Sequence, residues 1–114
     1  MLFRSDYTHV QDVADLTAAV LNADNDTDKL FYAATGQPLV TASEVAKIIR
    51  ELLPGASISV SDELSPLDEM EASFRGVLSI ANAQEQLGWT PKFTPLREGI
   101  SEYISRYRDF LAER

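Results

Sequence analysis

Cysteine is absent from this sequence, and histidine occurs once, at His9. The first absence removes disulfides, thiolate zinc sites and cysteine nucleophiles together. The second removes any histidine pair for a metal and any Ser-His-Asp arrangement. Basic residues are also scarce. Ten Lys and Arg stand against eighteen Asp and Glu, a formal net charge of −8. So acidic a chain repels phosphate backbones and gains nothing from counterion release. Nucleic acid and anionic membrane surfaces are therefore excluded as expected partners. No apolar run approaches the length of a bilayer span. The N-terminus lacks the charged-then-apolar order of a signal peptide. With cysteine missing as well, a cytoplasmic location is expected. Glycine-rich phosphate loops are missing too: there is no G-x-G-x-x-G, no Walker-type loop and no Tyr-x-x-x-Lys.

What remains is the composition of a globular domain. Of 114 residues, 45% are apolar and 25% charged, enough for one domain with a modest core. Met1–Ser5 does not join smoothly to the segment that starts at Asp6. It reads as a native exposed terminus or as a leader foreign to the protein. The second is the expectation, which leaves 6–114 as the folded region.

Asp6–Val10 is rich in β-branched and aromatic types and predicts a short strand. Asp12 then precedes Val13, Leu16, Val20 and Leu21, which share one helical face, so Asp12 is the expected N-cap. Leu30–Ala34 is a compact apolar run of strand length, expected to be buried on both faces as in a parallel sheet. Thr41 and Glu44 form a capping box. The helix behind it carries Val45, Ile48, Ile49, Leu52 and Leu53 on one stripe and stops at Pro54–Gly55. Ser57–Val60 alternates like a half-exposed strand. Ser61–Ser73 reads as an acidic loop. Ser79 caps a short helix ending at Gly88. Trp89–Phe93 is extended, and Pro95 opens a last helix with Leu96, Ile100, Tyr103, Ile104, Tyr107 and Leu111 on its stripe. Alternating strands and helices predict an α/β architecture.

Few residues offer chemistry. Asp62, Glu63, Asp68, Glu69 and Glu71 crowd one stretch, but their spacing matches no calcium loop, so a solvated surface is expected and no metal. His9 is expected to pack or hydrogen-bond rather than to catalyse. Arg75 has two readings: a surface cation that neutralises nearby carboxylates, or a guanidinium fork for a phosphate.

Three stretches together resemble the extended short-chain dehydrogenase/reductase family, the NAD-dependent epimerases and dehydratases of nucleotide sugars, a UDP-glucose 4-epimerase-like group. They are Asp6-Tyr7-Thr8-His9-Val10-Gln11-Asp12-Val13-Ala14, then Phe31-Tyr32-Ala33-Ala34-Thr35-Gly36 running into Thr41-Ala42-Ser43-Glu44-Val45, and finally Ser79-Ile80-Ala81-Asn82-Ala83 followed by Leu87-Gly88-Trp89-Thr90-Pro91-Lys92-Phe93 and then Glu98-Gly99-Ile100. The resemblance covers the last third of a family member. It implies the C-terminal, substrate-binding portion of a Rossmann-type enzyme without its dinucleotide-binding core. By the same resemblance, Tyr7 lines the nucleotide pocket, Ala42 touches the base and Arg75 binds phosphate. No catalytic or cofactor-binding residue is carried by this chain. NAD is expected on the missing part, a UDP- or dTDP-sugar is the expected substrate, and the parent is expected to be a homodimer. The sequence departs from the pattern at Ser5, where the family places an arginine, at Ala33, where it places asparagine, and at Ser79, where it places aspartate. The rival readings are a self-contained, non-catalytic α/β binding module and an unrelated small α/β protein. A fragment should leave 30–34 as an unprotected apolar edge, whereas a module should have polar edges.

Overall fold

The structure, a computed structural model, describes residues 3–114. Met1 and Leu2, the start of the expected leader, lie outside the described residues. The chain forms a small mixed α/β protein. Among the described residues there are five helices and one two-stranded sheet. The order is β1 (Arg4–Ser5), α1 (Val10–Leu21), β2 (Val40–Thr41), α2 (Ala42–Leu52), α3 (Pro66–Phe74), α4 (Ala81–Leu87) and α5 (Leu96–Ala112). Two compact units share these elements, one from Asp6–Pro38 and Val77–Thr94, the other from the N-terminal residues through Ser5, Leu39–Gly76 and Pro95–Arg114.

In the first unit Leu16 of α1, Ala83 of α4 and Trp89 make a buried cluster, with Phe31, Ala33, Ile80 and Leu87 packed against it. α1 begins two residues before the expected cap. His9 Nδ1 accepts the Gln11 N–H at 3.0 Å, and the His9 ring stacks on Phe93 at 4.2 Å. Asp12 is therefore not the cap. It is 1% exposed, and its carboxylate accepts the backbone N–H groups of Lys92 at 2.8 Å and Phe93 at 3.1 Å. Two amides of the extended 89–93 segment thus outcompete the helix's own first turn for that carboxylate. The inward face of α1 consequently runs through Asp12 and Leu16, while Val13, Val20 and Leu21 stay exposed, contrary to the predicted stripe.

Asp6 fixes the other side of this unit. Its carboxylate accepts the Thr35 N–H at 2.8 Å and the Thr35 hydroxyl, and the Thr8 hydroxyl donates to the Ala33 carbonyl at 3.1 Å. At Gly36 φ is 71°, and a Cβ there would stand 3.1 Å from Ile80. Gly88 closes α4 in the left-handed region, φ 66°, with Gly88 N–H donating to Gln84 and Trp89 N–H to Ala83.

In the second unit β1 and β2 pair antiparallel, Arg4 opposite Thr41 and Ser5 opposite Val40. The predicted capping box is present: Thr41 Oγ1 accepts the Glu44 N–H at 3.2 Å while Glu44 accepts the Thr41 N–H at 2.6 Å. α2 packs on α5 with Ala46 and Gly99 buried, and Arg97 pairs with Glu51. Those Thr41 hydrogen bonds hold the exposed Glu44 carboxyl below its ordinary value of 4.5. A depressed carboxylate stabilises above its unfolded pKa and loses that contribution as pH falls through the folded one. The protection factor of the amides in the first turn of α2, measured against their intrinsic exchange rate at each pH, is therefore expected to fall on acidification. In Glu44→Gln this acid-dependent change should vanish. A wild-type turn whose protection ignores pH would contradict the assignment.

Three strand expectations fail. Asp6–Val10, Leu30–Ala34 and Ser57–Val60 form no strand: Val10 opens α1, the other residues carry no regular structure, and no parallel sheet forms among the described residues. The alternation of Ser57–Val60 survives in its burial, with Ile58 and Val60 half-buried. Part of the expected acidic loop is helical. Ser65 and Asp68 make a second capping box and Pro66 takes the first helical position, starting α3. Pro95 is the residue before α5 rather than its first.

Candidate functional site

Arg75 follows the last residue of α3, one turn beyond Glu71. One guanidinium nitrogen donates to Ser5 Oγ at 3.0 Å and the other pairs with Glu71 at 3.3 Å. The guanidinium lies 4.4 Å from the centre of the Phe3 ring. The side chain stays 39% exposed. Arginine has five N–H donors in a planar fork, so two short contacts leave donors for an anion. The stacked ring and the neighbouring carboxylate fix the plane of the fork. Glu71 also partly neutralises it, as the reading of Arg75 as a surface cation beside carboxylates expects.

Tyr7 stands between Asp6 and Thr8, which are tied to Thr35 and Ala33. In an extended chain alternate side chains point to opposite faces. With its neighbours held inward, Tyr7 is presented outward and is 43% exposed. Ala42 is the first residue of α2 and is exposed beside the Thr41 cap. Tyr7 belongs to one unit, while Ala42 and Arg75 belong to the other.

One cavity of about 220 Å³ in the unit of α2 and α5 is lined by Leu52, Ser101, Ile104, Ser105, Arg108 and Asp109. Another, of about 480 Å³, is lined by Asp28, Lys29, Leu30, Tyr32, Ser79 and Asn82. Neither is lined by Tyr7, Ala42 or Arg75. Among the described residues no group of three or more His, Asp or Glu is placed to hold a metal ion, and no helix is long and apolar enough to cross a membrane.

Sequence reasoning missed the partners that shape Arg75. Glu71 at four residues' distance was legible as a helical ion pair. Phe3 and Ser5 were not, because they sit in the stretch read as a foreign leader. Comparison with protein-family models, with curated proteins and with solved structures finds no match.

Proposed function

We propose that this chain is the C-terminal, substrate-side portion of an NAD-dependent nucleotide-sugar epimerase or dehydratase of the cytoplasm. One observation carries the reading. Leu30–Ala34 belongs to no helix or strand, and among the described residues none of its backbone N–H groups donates to another segment. Leu30 and Tyr32 are exposed on alternate positions, while Phe31 and Ala33 pack on the core. An apolar segment of this kind is normally paired or covered. Val10, Val13, Val20 and Leu21 of α1, in the same unit, are also uncovered. A polar-edged, self-contained module would not leave these surfaces bare. A sheet supplied by a missing N-terminal portion would cover them.

In this reading Tyr7 lines the nucleotide pocket, Ala42 abuts the base and the Arg75 fork takes a phosphate of a UDP- or dTDP-sugar. The residues present do not fit NAD. Helices α1, α2 and α3 open from His9, Thr41 and Ser65, none of them from a glycine-rich turn that would admit a pyrophosphate. No catalytic step is assigned to this chain. The purified chain, mixed with NAD and UDP-glucose, is expected to give no epimerisation, and turnover above background would sink that assignment. Reading the coding DNA upstream of the first codon tests the whole proposal. The frame is expected to run back through a Tyr-x-x-x-Lys and a glycine-rich turn. A stop codon and ribosome-binding site there would overturn it and leave the non-catalytic binding module.

A further inference from the structure

Arg75 has a competitor for its own fork. It is the C-cap of α3, and Glu71 stands one turn back, the spacing at which an arginine folds onto its own helix. Closed fully on that carboxylate, the fork would be a surface ion pair with little to offer a ligand. It is held part-open instead. One nitrogen pairs with Glu71 at 3.3 Å, the other donates to Ser5 Oγ at 3.0 Å, and the guanidinium lies 4.4 Å from the centre of the Phe3 ring.

Both restraints come from one short segment. In the β1·β2 pair Arg4 stands opposite Thr41 and Ser5 opposite Val40. Side chains alternate along a paired segment. Phe3 and Ser5 are accordingly half-buried and both meet Arg75, whereas Arg4 between them is exposed. Arg4 serves the other side: after the hydrogen bonds of Thr41, its charge helps to hold the Glu44 carboxyl low. The main-chain ladder therefore sets where the ring and the hydroxyl stand.

Resting on the reading of Arg75 as a phosphate fork, we infer that Phe3 and Ser5 are positioning residues of that site. They hold the guanidinium off Glu71 and keep its remaining donors open to a phosphoryl group. Of the five N–H donors of an arginine, one goes to Ser5 and one to Glu71, which leaves three. The chain's net charge of −8 repels anions at long range. A phosphoryl group is therefore retained only by short, charge-assisted hydrogen bonds, and those need a fork that has not closed on a carboxylate.

The test titrates inorganic phosphate into the full chain at low salt and follows the Arg75 Nε–Hε signal by nuclear magnetic resonance. The signal is identified by its loss in Arg75→Lys and is expected to move saturably. Ser5→Ala and Phe3→Leu, each checked for wild-type circular dichroism, should weaken binding by about threefold to tenfold. Glu71→Gln should then raise affinity more in either variant than in the wild type, because a fork released by Ser5 or Phe3 has that carboxylate to close on. A merely structural role would not give this selective rescue. Variants that titrate as the wild type does, or an equal gain from Glu71→Gln in every background, overturn the positioning role and leave the phosphate reading of Arg75 standing. A wild-type signal that phosphate does not move overturns both.

Discussion

Trp89→Ala will remove most of the stability of the unit built from α1 and α4. Trp89 is the only tryptophan in the chain and is 5% exposed. With Leu16 and Ala83 it is the centre of the buried cluster, and no other large side chain stands ready to fill its place. Truncating a buried tryptophan to alanine costs about 3–5 kcal/mol. Whole domains hold about 5–15 kcal/mol in total, and the core here is small. Trp89 has a second role. Its Nε1–H donates to the Asp12 carbonyl at 3.1 Å, tying the extended segment to the first turn of α1. Trp89→Phe keeps much of the volume and loses that bond, so it should cost less, about 1 kcal/mol for the hydrogen bond plus a smaller packing loss. Urea unfolding followed by far-ultraviolet circular dichroism measures both, since the indole fluorescence disappears with the residue. A loss below about 1 kcal/mol for the alanine variant would mean that Trp89 is not the keystone of this core.

Helices were more legible in this sequence than strands, and the reason is local. The Thr41/Glu44 box, the stripe from Val45 to Leu53 and the Gly88 terminus are each written within a few residues, and each is found. A strand has no such closure. Leu30–Ala34 has the composition of one, yet a strand exists only when another segment supplies its ladder. Among the described residues none does. The same holds at Ser57–Val60, where alternating burial is kept without pairing. α3 was missed for a different reason. Five carboxylates drew attention to charge, while Ser65-Pro66-Leu67-Asp68 carries a capping box with proline in the first turn, a complete start signal.

The candidate site was legible only in part. Arg75 was singled out by type and position, and its fork is indeed accessible. Its orientation depends on Phe3 and Ser5, about seventy positions away in sequence, which no local pattern connects to it. Tyr7 is displayed because Asp6 and Thr8 are anchored to residues 33–35, again a contact between distant segments. Asp12 is the clearest example. Its type and place suit a helix cap, and the family-like segment contains it, but its partners lie some eighty residues downstream. Local propensity correctly placed a carboxylate near a helix start, and tertiary structure gave it other amides to bind.

Asp12→Ala is expected to cost about 3 kcal/mol, nearly as much as losing the tryptophan. The argument concerns what is left behind. The Asp12 side chain is fully buried, and its two oxygens accept the Lys92 and Phe93 N–H groups. Alanine leaves both amides without these acceptors in a part-buried setting, and each orphaned donor costs about 1–3 kcal/mol. The cavity left by the missing carboxylate adds to this. Asp12→Asn keeps one acceptor oxygen but presents an amide nitrogen to the other N–H, so it should recover only part of the loss. A coupling measurement separates this clamp from general packing. Asp12 and Trp89 fasten the same extended segment to the same helix turn, one through its side chain and the other through a bond to the Asp12 carbonyl. Once the carboxylate is gone the segment is free to drift, and the indole bond loses its geometry. The double variant Asp12→Ala/Trp89→Phe should therefore be less destabilised than the two single losses added together, by about 0.5–3 kcal/mol. Urea midpoints of the wild type, both single variants and the double variant give the answer. Strict additivity would show two independent attachments in place of one clamp.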